Sequence, residues 1–186
     1  MITVRKGFKF RIYPTPKQVE RMLAWEDALR WLWNLANEQR LLGLARPKGE
    51  RRYYTAFDQI YELKGLRAEL PWLKDVPHDV SAQLLTQLDL AWTRCFKRLA
   101  RAPRWKKKGR DVISLCESQP YKGGRINSDV LRFPKIGNIR VIAHRPLEGK
   151  FKTCTIKRDG DQWFASVLCE VTIADPIPRT GACCGA

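Results

Sequence analysis

The chain has 186 residues, a formal net charge of +16 at pH 7 and a hydrophobic content of 44%, with seven tryptophans. A disordered basic tail lacks such apolar content, so the composition indicates a folded polycationic protein. Its natural partners are polyanions, with nucleic acid favoured over an anionic membrane. No stretch approaches the ~18 apolar residues of a membrane span, and no signal peptide is recognisable. We therefore expect a cytoplasmic chain that is nucleoid-associated when bound to DNA.

Residues 6–18 predict a strand followed by the start of a helix. Apolar and polar residues alternate along the strand, which gives it one apolar and one cationic face. The apolar face comprises Phe8, Phe10 and Ile12, and the opposite face comprises Lys9, Arg11 and Tyr13. Thr15 and Gln18 have the spacing of a capping box, with Pro16 at the first helical position. An edge strand with solvated basic side chains is the alternative.

Apolar residues at helical spacing predict three helices after this strand. They run from Pro16 to about Leu42, over residues 55–69, and from near Pro77 to about residue 99. Their aromatic and leucine stripe is interpreted as the core of a helical bundle and not as a ligand site.

A strongly cationic segment follows the third helix. Residues 97–110 contain eight Lys or Arg and no acidic residue. Trp105 stands among Arg104, Lys106, Lys107 and Lys108. An aromatic ring amid cations favours binding to single-stranded or structured RNA, and a solvated linker is the alternative.

From residue 112 onward the apolar period changes to two, which predicts strands. They cover residues 112–115, 130–133, 139–142, 154–157 and 163–171, with a turn at 123–124 and a hairpin at 159–160. One strand, three helices and five strands predict an α+β fold, in which a small β-barrel includes the first strand and a three-helix bundle is inserted after it. The predicted units are a barrel of residues 1–15 and 111–173, an inserted helical lobe of residues 16–110 and a tail of residues 174–186.

The cysteines and histidines do not predict a metal centre. The six cysteines form no C-x-x-C pair, and the two histidines offer no i,i+4 partner. We predict neither a zinc site nor any other cofactor, and we interpret Cys95, Cys116, Cys154 and Cys169 as buried reduced thiols. For Cys183 and Cys184, a shifted or truncated reading frame is favoured over metal or redox chemistry.

Six segments resemble, in order and spacing, the amino-terminal half of the TnpB or OrfB proteins of insertion sequences, which are relatives of the compact type V CRISPR effectors. These segments are KGFKFRIYPTPKQ (6–18), PWLKDVP (71–77), LDLAWTRCFKRL (88–99), PRWKKKGR (103–110), FPKIG (133–137) and HRPLEGKFK (144–152). The resemblance implies a wedge-type, OB-like barrel with a helical recognition lobe. It also implies two partners, a guide RNA and double-stranded DNA that carries a short transposon-adjacent motif. Older descriptions assign the start of such proteins to the helix-turn-helix of a transposase.

The resemblance also implies where the nucleic acids bind. The residues in the region that reads the DNA motif are Tyr53, Tyr54, Phe57, His78, Asp79, Ala82 and Gln83. For Tyr53 and Phe57 a packing role is the alternative, and Ala82 has no side-chain group to hydrogen-bond a base. The residues expected to contact guide RNA through phosphate and shape are Lys9, Arg11, Arg104, Trp105, Lys106, Lys107, Lys108, Lys135, Arg145, Lys150 and Lys152.

The expected activity depends on the carboxylates of a nuclease. In the family, a V-G-I-D segment of a RuvC-like nuclease supplies the first metal-binding carboxylate, and this sequence ends before the matching aspartate. The 19 acidic residues show no pair typical of a two-metal site. The sequence therefore predicts a nuclease-deficient binding module and not an enzyme. One alternative is half of a split endonuclease whose nuclease is a separate chain, and another is an RNA-binding structural protein unrelated to transposition.

Overall fold

A computed structural model of the chain describes residues 1–118, 126–127 and 129–174, and its α+β class confirms the prediction. The elements in chain order are β1 (Ile2–Tyr13), α1 (Pro16–Ala45), α2 (Ala56–Glu69), α3 (Pro71–Asp75), α4 (His78–Phe96), β2 (Leu115–Glu117), β3 (Ile126–Asn127), β4 (Val130–Phe133), β5 (Gly137–Val141), β6 (Lys150–Asp159) and β7 (Gln162–Ile173). The predicted turn at 123–124 and the two cysteines near the carboxyl end lie outside the described residues.

The strands form one antiparallel sheet with β1 at its centre. The strand order is β2-β6-β7-β1-β5-β4-β3, so the first strand belongs to the same sheet as the carboxy-terminal strands, as predicted. Ile2 through Ile12 of β1 pair with β7, and the end of β1 pairs with β5. Within the part of the chain that the structure describes, β2 and β3 are the two edges. The sheet is therefore a curled half-barrel, whereas the sequence predicted a closed barrel.

The start of α1 is fixed both locally and against the sheet. The Gln18 backbone N–H donates to Thr15 Oγ1 (3.4 Å) and the Thr15 N–H donates to Gln18 Oε1 (2.9 Å), which confirms the predicted capping box. The Gln18 side-chain amide also donates to the Asn138 carbonyl at 2.8 Å. Gln18 of the capping box therefore sets the position of α1 relative to β5.

Gly43 does not end α1, although a glycine is a common helix breaker. The helix continues to Ala45, and Gly43 permits a close approach by the next segment. The Arg52 N–H donates to the Gly43 carbonyl (3.1 Å), and a Cβ at Gly43 would lie 2.2 Å from the Arg52 carbonyl oxygen. The glycine is therefore required by packing at this position.

The third predicted helix corresponds to α4, which ends at Phe96 instead of near residue 99. A short helix that the sequence did not predict, α3, precedes it. Arg98 adopts a left-handed backbone conformation with φ 58°, and the Leu99 N–H donates to the Arg94 carbonyl (2.9 Å). Such 6→1 bonds terminate helices.

Helices and sheet share one hydrophobic core. Phe10, Trp25, Leu88 and Phe133 are almost fully buried and belong to the same cluster. Helix α1 contributes to this cluster along most of its length. The division into a barrel domain and an inserted helical lobe stays a prediction.

The four described cysteines are free thiols. Cys154 and Cys169 are buried, whereas Cys95 and Cys116 are half-buried. Burial raises the pKa of Cys154 to about 12, so this thiol stays protonated and unreactive at neutral pH. Within the described residues, no helix combines the length and hydrophobicity needed to cross a membrane.

The two faces of β1 should respond differently to mutation. Phe10 is 0% exposed, so Phe10→Ala should lower the free energy of unfolding by about 3–5 kcal/mol. The double variant Lys9→Ala with Arg11→Ala is the control. Because both side chains are exposed, these substitutions should change the free energy of unfolding by no more than about 0.5 kcal/mol. Chemical denaturation of the three proteins tests this expectation. Equal losses would contradict the assigned orientation of β1.

Candidate nucleic-acid interface

The segment of residues 103–111, here called the cationic loop, lies against α1 and is not a solvated linker. Side chains of α1 hydrogen-bond its backbone at several points. Asn34 is central, because its Nδ2 donates to the Lys106 carbonyl (3.0 Å) and its Oδ1 accepts from the Lys106 N–H (2.8 Å). Trp33 Nε1 donates to the Arg104 carbonyl and Asn37 Nδ2 to the Pro103 carbonyl, both at 3.2 Å. The loop therefore has a defined conformation.

Asp111 stabilises the same loop from within. Its carboxylate accepts hydrogen bonds from the Lys107 N–H (2.9 Å) and Arg110 Nε (2.8 Å), and Arg104 Nη2 lies 3.2 Å from Oδ1. The Lys107 N–H first, and then the Arg110 guanidinium, lower the pKa of Asp111 to about 2. The carboxylate is therefore ionised throughout the physiological range.

The cations of the loop differ in how accessible they are. The Arg104 and Lys108 side chains are 70% and 79% exposed, and Trp105 is 43% exposed. Lys107 is also exposed, whereas Lys106 is half-buried with its Nζ 5.0 Å from the centre of the Trp33 ring. The structure therefore brings Arg104, Trp105, Lys107 and Lys108 together on one accessible loop.

A second cationic surface is the outer face of the sheet, opposite the core. Lys9 Nζ lies 4.2 Å from the centre of the Phe164 ring on β7, and the Arg11 guanidinium lies 5.1 Å from that of Tyr13. Paired residues of antiparallel strands share a face. The register therefore places Lys157 and Arg140 on this face, because Lys157 pairs with Phe164 and Arg140 pairs with Tyr13.

Sequence reasoning did not name four basic residues of this outer face. They are Arg5, Arg132, Arg140 and Lys157, all exposed. Period-two alternation could have indicated them, since each stands next to an apolar residue that faces the core. Their joint placement on one face depends on strand register, which the local pattern does not determine.

The other predicted RNA-binding residues differ in position. Lys150 pairs with Glu170, the partner of Arg5, so it lies at one end of the outer face. Lys150 is exposed on β6, and Lys152 Nζ is ion-paired with Glu170 at 2.9 Å. The Arg145 guanidinium lies 4.9 Å from the centre of the Phe8 ring. Lys135 Nζ donates to the carbonyls of Lys74 (2.7 Å) and Asp75 (3.0 Å) at the end of α3. These contacts give Lys135 and Lys152 roles within the fold.

Tyr53, a predicted DNA-motif residue, belongs to a hydrogen-bond network. Its hydroxyl donates to Asp89 Oδ1 (2.9 Å) and accepts from Arg40 Nη1 (2.8 Å). Burial, followed by the bond to Asp89, raises the pKa of Tyr53 to about 12. The Tyr53 ring also packs edge-on against Phe96, with the ring centres 5.2 Å apart. These contacts favour the packing alternative for Tyr53.

Asp79 and Gln83 attach α4 to the end of β2. The Asp79 carboxylate accepts from the Ser118 N–H at 2.7 Å, and Gln83 Nε2 donates to Ser118 Oγ at 2.9 Å. Tyr54 is half-buried beneath the Arg52 guanidinium, which lies 4.7 Å from the centre of its ring. Each of these three side chains already has a partner within the fold.

Phe57 and His78 are the accessible members of the predicted DNA set. Phe57 is 79% exposed on the first turn of α2, and His78 is exposed at the first position of α4. Ala82 is half-buried on α4. The predicted set therefore separates into two accessible side chains and a larger group held by intramolecular contacts.

The fold and the two cationic surfaces are typical of nucleic-acid-binding proteins, and comparisons with known sequences show what the chain is similar to. Residues 1–41 match the helix-turn-helix domain family of IS605-type OrfB proteins. In the structure these residues comprise β1 and most of α1. This match confirms the resemblance to OrfB and TnpB proteins of insertion sequences that the sequence showed.

Two relatives match nearly the whole chain. "Putative RNA-guided DNA endonuclease InsQ" of Escherichia coli (strain K12) is 28% identical over 185 residues, which cover 97% of this chain and 44% of the relative. A "Putative RNA-guided DNA endonuclease" of Streptomyces pristinaespiralis is 29% identical over 189 residues, which cover 100% of this chain and 46% of the relative. The chain thus spans less than half the length of these relatives.

The prediction that the protein is not an enzyme is wrong. The name of each relative includes "Putative RNA-guided DNA endonuclease". The prediction relied on carboxylates missing from a sequence that spans less than half of such proteins, so their absence gives no information about catalysis. The described residues contain no group of three or more His, Cys, Asp or Glu that could hold a metal ion.

Asp111 should stabilise the cationic loop in a pH-dependent way. Because its pKa of about 2 in the folded protein lies below the ordinary value of about 3.9, its contribution is complete above about pH 5 and is lost as the pH falls through 2. Asp111→Asn should therefore lower the free energy of unfolding at pH 7, and the difference from the wild type should shrink below about pH 4. Urea denaturation across this range measures the effect. Asp161→Asn, in the exposed turn between β6 and β7, is the matched control, and the same pH profile in both variants would contradict the assignment.

Proposed function

We propose that this chain is the nucleic-acid-binding part of an RNA-guided DNA endonuclease, which binds a guide RNA and a DNA motif next to the transposon. The cationic loop is the observation that supports the RNA part most directly. Its backbone is fixed by α1 and Asp111, while Arg104 and Lys108 keep most of their side-chain surface accessible. A loop ordered before binding loses less conformational entropy when it meets phosphates.

Trp105 adds a stacking surface to the same loop. Its ring is 43% exposed and is flanked by cations, and its carbonyl accepts a bond from Arg110 Nη2 at 2.9 Å. Single-stranded nucleic acids bind to surfaces that combine cations for the backbone with aromatic rings for the bases. The loop therefore suits an unpaired region of the guide RNA.

The outer face of the sheet offers a second surface of the same chemistry. Lys9, Arg11 and Lys157 are exposed there, close to the half-buried Phe164 ring. Twisted sheets with exposed basic and aromatic side chains are a recurrent platform for RNA. We assign this face to backbone contacts with the guide RNA.

The DNA part of the proposal rests on Phe57 and His78. Phe57 exposes a large apolar ring of the kind that proteins insert at base steps. His78 begins a 19-residue helix, α4, whose N-terminus attracts phosphate. The names of the two relatives support an RNA-guided endonuclease over a structural RNA-binding protein. A separately encoded nuclease chain stays a prediction.

The cationic loop is tested by charge removal. A triple variant, Arg104→Gln with Lys107→Gln and Lys108→Gln, should weaken binding of a single-stranded RNA. It should also reduce the slope of log K against log salt by about 0.7 for each phosphate that the variant no longer neutralises. The control removes the same charge from exposed positions elsewhere, with Lys48→Gln, Arg51→Gln and Lys64→Gln. Titrations at several salt concentrations give the slopes. Equal slopes for the two triple variants would reject the loop as an RNA site.

DNA reading is tested by selection from a pool of duplexes randomised over about eight base pairs. The wild-type protein, loaded with RNA, should enrich a short motif. Because failure to recognise one base pair costs about 1–3 kcal/mol, Phe57→Ala should reduce the enrichment at least several-fold. Leu90→Ala, at an exposed position of α4, should not change it. Enrichment that is the same in all three proteins would remove Phe57 from the proposed site.

A further inference from the structure

We infer that a cleft between α1 and α3 binds one unstacked base of single-stranded RNA, an inference that rests on the proposed function. The cleft, here called the aromatic cleft, has a volume of about 460 Å³ and is lined mainly by Ala24, Ala28, Trp31, Trp72, Asp27 and Asp75. This volume lies within the range of about 300–1,000 Å³ that is usual for small-ligand sites.

Two tryptophans give the aromatic cleft its chemistry. Trp31 is 39% exposed and Trp72 is 45% exposed, and their rings meet edge to face with centres 4.9 Å apart. Ala24 and Ala28 lie two turns and one turn of the helix before Trp31, and their small side chains leave room for a planar group beside it. Solvent-exposed tryptophan faces beside an open space are suited to stacking with a ring.

The charges around the aromatic cleft favour an anionic ligand over a cationic one. Aromatic pockets also bind organic cations, but both carboxylates here are already neutralised. Asp27 accepts from Arg30 and from Lys108 Nζ (2.6 Å), and Asp75 accepts from Arg21 Nε (3.2 Å) and Trp25 Nε1 (2.6 Å).

More cationic than acidic side chains therefore border the aromatic cleft. Lys135 adds another positive charge, because its ammonium group is bonded to the carbonyls of Lys74 and Asp75 at the end of α3. A base attached to phosphates satisfies both the aromatic wall and its cationic margin.

RNA is the source of that base because the aromatic cleft is continuous with the cationic loop. The bond between Lys108 and Asp27 joins the end of the cationic loop directly to the wall of the cleft. A strand whose phosphates follow the loop thus reaches the cleft, where one base leaves its neighbours and stacks on Trp72 or Trp31. The cleft would then fix the register of the strand on the loop.

The test compares two labelled oligonucleotides of about ten residues, oligouridylate and a ribose-phosphate strand of the same length without bases. Trp72→Ala should weaken binding of oligouridylate about 5- to 150-fold, leave binding of the strand without bases unchanged, and leave the salt slope unchanged. Trp72→Phe should retain most of the affinity. Tyr61→Ala, at an aromatic residue that is 81% exposed on α2, is the control and should bind both strands like the wild type.

A second variant keeps the test decisive if Trp72→Ala alters the fold. Ala24 lines the aromatic cleft on α1. Ala24→Leu narrows the cleft beside the tryptophans while both rings remain, so it should also weaken binding of oligouridylate.

Several outcomes would overturn the inference. If the wild-type protein binds oligouridylate, and Trp72→Ala and Ala24→Leu bind it with the same affinity, the inference is wrong while the proposed function stands. An equal loss for the strand without bases leads to the same conclusion. A wild-type protein that binds no single strand overturns the proposed function as well.

Discussion

The cationic loop depends on side chains of α1 that bond mainly to its backbone, although Asp27 also pairs with the charge of Lys108. Asn34 pairs with both the N–H and the carbonyl of Lys106, and Arg30 Nη2 donates to the Asp111 carbonyl at 3.3 Å. Bonds of this kind satisfy buried backbone groups and fix the loop without neutralising it. These hydrogen bonds hold the loop in place against the repulsion among its neighbouring cations. Asp111 is the one acidic residue within the loop. A basic segment held in this way presents its charges in fixed positions to a polyanion.

The helices on which this loop lies are themselves held by a buried arginine. Arg40 is 0% exposed, and its Nε and Nη2 donate to Gln59 Oε1 at 2.9 and 2.7 Å, while Nη1 bonds Tyr53 and Asp89. A buried guanidinium is costly unless its donors are satisfied, and removal of one partner typically costs about 3–5 kcal/mol. Because the partners come from α2, from α4 and from the segment between α1 and α2, this one side chain fixes the packing of three helices. The exposed Phe57 is presented by that arrangement.

Local signals in the sequence predicted the parts of the fold that are determined locally. The alternation along β1 predicted which side Phe10 and Lys9 would face, and the Thr15–Gln18 pair predicted the start of α1, because both patterns involve residues within one turn or strand. The partners of Lys135 could not be predicted in this way, since they lie at the end of α3, about 60 residues away. Closure of the barrel also could not be predicted, because it depends on whether the edges β2 and β3 meet, and no local pattern encodes that register. The basic cluster at 104–108 was visible in composition, but its attachment to α1 through Trp33 and Asn34 was not.

The positions of the acidic residues explain how a chain of net charge +16 keeps strongly cationic surfaces and still folds compactly. Three of the acidic residues lie where segments meet: Asp75 joins α3 to α1, Asp79 joins α4 to the end of β2, and Asp89 lies among the helices beside Arg40. At such partly buried positions an ion pair or charged hydrogen bond is screened less than at the surface and contributes more to stability. The central part of the outer sheet face and the exposed side of the cationic loop keep most of their positive charge as a result. These two surfaces thus carry exposed charge that a phosphate backbone would neutralise on binding.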